Sequence, residues 1–116
     1  MTIPHYKDLT RAVSSRMNGM RETQPELMAA FSQLAAAGTR GGALDKKTRE
    51  FVALGIAVAC RCDDCIDFHV KTLIALGATR AELEEVLGTA VYMGGGPSMM
   101  YATHALMAFE EFTAAA

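Results

Sequence analysis

The sequence predicts an all-α fold, a bundle of about six helices in a single domain. Three observations carry this. No stretch keeps the period-two alternation of a half-buried strand, several stretches place apolar residues three and four apart, and capping and glycine signals divide the chain into helix-length pieces. The 116 residues with 51% hydrophobic content suffice for one core and give no reason to expect two. There is no internal repeat, low-complexity segment or interdomain linker, so residues 1–116 read as one domain.

The first helix is expected over roughly residues 5–21, with Leu9, Val13, Met17 and Met20 forming its apolar stripe. Thr23, Pro25 and Glu26 read as the next helix start: a capping hydroxyl, a proline in the first turn and an acid at the positive dipole end. That helix runs through Leu27, Phe31 and Leu34 to about Ala37. Gly38 to Gly42 should break it as a flexible loop, a simpler reading of the glycines than a phosphate cradle. Asp45 can cap a third helix whose stretch from Phe51 to Cys60 is apolar on nearly every side, which predicts a central, buried element with Gly55 at a close approach. Asp63 and Asp64 open a fourth helix ending at Leu76, with Gly77 in the left-handed cap position. Thr79 to Glu82 is a capping-box pattern for a fifth, which turns Leu83, Val86, Leu87, Ala90 and Val91 inward. The run Gly94-Gly95-Gly96-Pro97 should stop it and set up a last helix from Ser98 to about Ala114, with Met99, Ala102, Leu106 and Phe109 inside. The tail Ala114–Ala116 is expected to fray.

A formal charge of −2 and no basic cluster beyond Lys46, Lys47 and Arg49 argue against nucleic acid as a partner. The polar opening with His5, Lys7, Asp8 and Arg11 lacks a signal-peptide core, and no apolar run reaches membrane-spanning length, so a cytoplasmic protein without a membrane partner is expected. Eight Met and five Phe in so short a chain point to apolar surface covered in a homo-oligomer. The three cysteines all fall between positions 60 and 65, the wrong arrangement for a framework stapling distant segments, and suited to chemistry or metal binding.

At about 100° per residue, Cys62, Cys65 and His69 fall within a sector of roughly 60° on a helix and can face one site if the helix begins at or before Cys62. Cysteines three apart at a helix start suit reversible disulfide formation. The helix dipole and Arg61 favour the thiolate, while Asp63 and Asp64 oppose it. His69, one turn after Cys65, can take a proton from a thiol or deliver one to a leaving group. Glu50 lies where a polar first turn meets the apolar run. There it is either a solvated acid at the dipole end or a carboxylate drawn inside, able to pass protons near neutral pH. Cys60 reads as a small core residue, His104 as a satisfied core histidine, and Tyr92 and Tyr101 as pocket or core aromatics beside the glycine turn.

Glu50, then Cys62-Asp63-Asp64-Cys65, His69, and downstream Gly94-Gly95-Gly96-Pro97 together resemble the carboxymuconolactone decarboxylase-like family, in particular its alkylhydroperoxidase D-like branch, over roughly residues 44–112. The resemblance implies an all-α fold assembling as homotrimers or homohexamers. It also implies reduction of hydroperoxides or disulfides by a Cys-x-x-Cys pair without a bound cofactor, and regeneration by a dithiol or lipoyl-type reductant. It makes Cys65 the thiol that attacks peroxide and Cys62 the one that resolves the sulfenic acid, with Glu50 and His69 as proton relay. Position at the helix start favours Cys62 as the more reactive thiol, and the family pattern favours Cys65. Cys60 is an extra thiol relative to that pattern.

Three other readings compete. A lactone decarboxylase moves protons with a histidine and acids and needs no cysteine pair. A metal site would recruit Cys60, Cys62, Cys65 and His69, although structural zinc sites usually draw ligands from separated segments. A helical oligomer could also sense oxidant through the pair without turning over.

Overall fold

The computed structural model describes Ile3 and residues 5–114; the last two alanines of the expected frayed tail lie outside them. Six α-helices and no strand occur among the described residues: α1 (Tyr6–Thr23), α2 (Pro25–Thr39), α3 (Lys46–Ala59), α4 (Asp63–Ala75), α5 (Arg80–Gly94) and α6 (Gly96–Thr113). None of them is long and apolar enough to cross a membrane. Helices α3 to α6 pack on one another around Leu54, Val58, Ile66, Val70, Leu73, Leu83 and Leu87, and α1 lies across α4 and α6.

Local signals place most boundaries. Asp45 Oδ1 accepts the Thr48 N–H at 2.7 Å and starts α3. Thr79 and Glu82 make the reciprocal capping box of α5, at 3.1 and 2.9 Å. The expected break between α1 and α2 shifts: the Thr23 hydroxyl bonds back to Gly19 O instead of capping forward, so α1 runs through Thr23 and Gln24 joins it to Pro25. Helix α2 continues past Ala37 to Thr39, so Gly38 is helical and the loop begins at Arg40. The later glycine run is also mostly helical. Only Gly95, at φ 75°, takes a conformation that stops α5, and α6 starts directly at Gly96.

The buried faces differ in places from the apolar patterns. In α1 the fully covered residues are Tyr6 and Thr10, while Met20 is exposed, because only the first two turns dock on the bundle. The inner face of α6 is Ser98, Ala102, Ala105 and Ala108; small residues bring it close to its neighbours and leave Met99 outside. Helix α3 buries Glu50, Leu54, Ala57 and Val58, but Val52 and Ile56 remain more than half exposed. It is therefore not covered on every side as expected. Gly55 makes no close approach, since a Cβ there would meet only Val86 Cγ1 at 4.0 Å. No residue of α2 is buried.

Two carboxylates tie α1 to the bundle. Glu111 of α6 accepts the N–H groups of Tyr6 at 2.9 Å and Lys7 at 2.8 Å, capping α1 from another helix because His5 makes no side-chain cap. Asp67 of α4 is wholly buried, with Oδ2 2.6 Å from Thr10 Oγ1 and Oδ1 without a partner. Thr10 Oγ1 also lies 2.5 Å from Tyr6 O. Its single proton cannot serve both acceptors, and a protonated Asp67 donating to Thr10, which then donates to Tyr6 O, satisfies the chain.

Burial pushes the Asp67 carboxyl up to about 6, reinforced by Asp64 and Glu111 and opposed by Lys71. A folded value above the unfolded one makes this group's contribution fully present below pH ~4 and lost as pH rises through about 6. Asp67→Asn keeps a donor to Thr10 and should remove this loss, leaving the variant more stable than wild type at pH 7.5 by on the order of 2 kcal/mol. Urea unfolding at pH 4.5 and 7.5 measures both slopes, and a wild type equally stable at the two values contradicts the assignment.

Candidate functional site

The turn from α3 to α4 places the cysteines. Cys60 ends α3, and Arg61 takes a left-handed φ of 57°. The Arg61 N–H bonds to Val58 O and the Cys62 N–H to Ala57 O, both at 3.1 Å. This is the paired closure of a Schellman motif, with arginine in the seat usually given to glycine. The end of α4 repeats it with Gly77 at φ 82°, whose N–H bonds to Ile74 O while the Ala78 N–H bonds to Leu73 O. Cys62 thus finishes one motif and begins the next helix: its Sγ accepts the Cys65 N–H at 3.2 Å as the N-cap of α4.

Cys62 and Cys65 are joined as a disulfide with Cα atoms 5.2 Å apart. Cys65 is exposed and Cys62 partly buried, so the bond is open to a partner from solvent. Cys60 is a free, exposed cysteine and not the core residue expected, because the helix end turns it outward. Among the described residues, no group of three or more His, Cys, Asp or Glu is placed to hold a metal ion.

Glu50 is drawn inside, only 4% exposed, on the face of α3 that packs against α4. Its Oε2 lies 2.6 Å from His69 Nδ1 and its Oε1 3.3 Å from Lys46 Nζ. A carboxylate can only accept, so Nδ1 donates to Glu50 and Nε2 is the ring nitrogen turned away from it. Lys46, half-exposed one turn earlier on α3, gives this buried carboxyl a partner of opposite charge. His69 is one turn beyond Cys65, a rise of about 6 Å along α4.

A second histidine–carboxylate pair stands at the same helix end. His104 Nδ1 of α6 lies 2.7 Å from Oδ1 of Asp63, the residue after Cys62, and the Tyr6 hydroxyl makes a longer bond of 3.4 Å to the same oxygen. Tyr101 packs on the His104 ring with centroids 4.8 Å apart. His104 is satisfied as expected, although only partly buried; its partner was missed because nothing in the sequence relates positions 63 and 104. Tyr92 is 84% exposed and belongs to neither core nor site. A hollow of about 600 Å³ beside α1 and one of 440 Å³ between α3 and α5 are lined by none of the cysteines.

The model of the carboxymuconolactone decarboxylase family matches residues 25–108. The chain belongs to this family. A family member from Legionella pneumophila, solved in its apo form, superposes with a TM-score of 0.92 at 54% identity, covering 94% of this chain and 97% of that one. A Thermotoga maritima member, for which a part in antioxidative response has been suggested, gives a TM-score of 0.79 at 29% identity over 88% and 87% of the two chains. A Cupriavidus necator protein of uncharacterised function is 37% identical over 88% of this chain and 90% of its own length.

The two left-handed seats give opposed outcomes. Arg61→Gly removes a conformational cost of about 1 kcal/mol, partly offset by the freer unfolded chain, and should raise the thermal midpoint slightly. Gly77→Ala, with open space around the position, should cost about 1 kcal/mol through the backbone alone. Thermal and urea unfolding of the two variants read the difference directly.

Proposed function

We propose that this family member is a thiol-dependent hydroperoxide reductase. The observation that carries the reading is the accessible Cys62–Cys65 disulfide at the start of α4, one turn from a histidine whose ring is oriented by a buried carboxylate. The suggested antioxidative part of the Thermotoga relative agrees with it.

In this scheme the reduced pair meets the peroxide. His69, whose Nδ1 faces the Glu50 carboxylate, takes the Cys65 proton on Nε2. The Cys65 thiolate attacks the terminal peroxide oxygen, the O–O bond breaks, and the leaving alkoxide collects the proton from His69 as alcohol. The Cys62 thiolate attacks the resulting Cys65 sulfenic acid, forming the disulfide and releasing hydroxide, which leaves as water with the Cys62 proton. A dithiol or lipoyl-type reductant then returns two electrons and two protons. Cys65 suits the attacking role by exposure, and Cys62, partly buried and fixed by both helix ends, suits the resolving role. No bound cofactor enters the cycle.

Wild-type reduced protein should lose two thiols to one equivalent of a small alkyl hydroperoxide, with the disulfide mapped to Cys62–Cys65. Cys65→Ser should abolish turnover, and Glu50→Gln, which loses the carboxylate holding His69, should slow thiol loss about a hundredfold. A Cys65→Ser protein that decarboxylates a lactone through Glu50 and His69 would favour the family's other chemistry. Stoichiometric oxidation without any cycling by a dithiol would favour a sensor.

We also propose a homo-oligomer, a trimer or hexamer. Leu27, Phe31 and Leu34 line one side of α2 and are each more than half exposed, and a 15-residue helix with no buried residue gains too little from its own hydrogen bonds to stand alone. The apolar groove between α3 and α5, bordered by Val52, Ile56 and Met93, offers a second uncovered surface. Light scattering should give a multiple of the 12.4 kDa chain mass, and Phe31→Asp with Leu34→Asp should lower it. A wild type that runs as a monomer at micromolar concentration defeats this part of the proposal.

A further inference from the structure

The redox scheme uses Glu50 and His69 and leaves the second histidine–carboxylate pair without a role. Asp63 is one peptide bond from Cys62, and an unaccompanied carboxylate so close would oppose thiolate formation there. Its side chain turns instead toward α1 and α6. There Oδ1 accepts from His104 Nδ1 at 2.7 Å and, more weakly, from Tyr6 OH at 3.4 Å. Both donors come from helices remote in sequence, and Tyr101 braces the histidine ring from the same face of α6.

We propose that Asp63 and His104 are positioning residues for Cys62: His104 holds the Asp63 carboxylate on the α6 side of the helix start and offsets its charge, so that the thiol beside it can ionise. The inference rests on reading Cys62 and Cys65 as a working redox pair. Reduction of the disulfide takes two electrons and two protons from a dithiol, which becomes a disulfide in turn, and the ease with which Cys62 then loses its proton decides how readily it resolves Cys65. His104 acts here only through Asp63. The other groups around Asp63 are Tyr6 from α1, Asp64 and Asp67 on its own helix, and Arg61 just before Cys62. Burial and Asp63 itself push the Tyr6 hydroxyl well above its ordinary value, so it remains a donor across the useful pH range.

The two members of the pair therefore have opposite effects on the thiol, which a purely structural role would not produce. In reduced protein carrying Cys60→Ser, the rate of Cys62 alkylation by iodoacetamide is followed against pH with mass mapping. His104→Gln should shift the midpoint upward and slow alkylation at pH 7 about threefold or more, while Asp63→Asn should shift it downward and speed alkylation by a similar factor. The double variant should match Asp63→Asn alone, since His104 has nothing to offset once the carboxylate is gone. Circular dichroism confirms that each variant is helical, and if His104→Gln does not fold, Asp63→Asn alone decides: no downward shift overturns the proposal. Any other pattern, including both single variants moving the midpoint the same way, also overturns it. The assay contains no peroxide, so its outcome is independent of whether the wild type turns over.

Discussion

The left-handed turn at Arg61 is the constraint on which the site depends. It reverses the chain between two helices within three residues while satisfying the last carbonyls of α3, and it leaves Cys62 at the exact point where α4 needs a cap. A longer connection would free Cys62 from α3 and loosen its distance to Cys65. The short one also lays α3 and α4 side by side, which is how Glu50, twelve residues before Cys62 in the chain, comes to meet His69 seven residues after it.

Helix α4 is the hub of this arrangement. Ile66, Val70 and Leu73 form its fully buried apolar side, and between them three polar positions each bind a different neighbour: Asp63 holds α6, Asp67 holds α1, and His69 holds α3. Buried polar groups add specificity when their partners are placed and cost stability when they are not. Glu50 and Asp63 are satisfied by donors, whereas Asp67 keeps an unpartnered oxygen and its burial favours the protonated form. The polar contacts thus orient the helices, and the apolar contacts supply most of the driving force.

The bundle around α4 is well covered, and the rest of the molecule is not. Helix α2 and the outer side of α3 carry leucine, isoleucine, valine and phenylalanine at exposures that isolated soluble domains rarely keep in continuous stripes. In a chain of this size the surface is large relative to the core, so covering such stripes with further copies is the economical physical solution.

The sequence by itself determined the helical class, the six-element order and the caps, because these depend on residues within one turn of each other: Asp45 with Thr48, Thr79 with Glu82, Gly77 at a helix end. It also placed Cys65 and His69 on one helix, since a four-residue spacing translates directly into a shared side, while Cys62 caps that helix from an extended position just before it. It misassigned the cap of α2, where Thr23 had a local alternative partner, and it could not foresee that arginine would take a left-handed seat. Only the tertiary structure decided that Glu50 is buried against His69, that Cys60 faces outward, that the inner side of α6 is alanine and serine in place of Met99, and that Asp63 and Asp67 meet His104 and Thr10. Those contacts join residues nineteen to fifty-seven positions apart, and no local rule of spacing or propensity reaches that far; they exist only once the helices have packed.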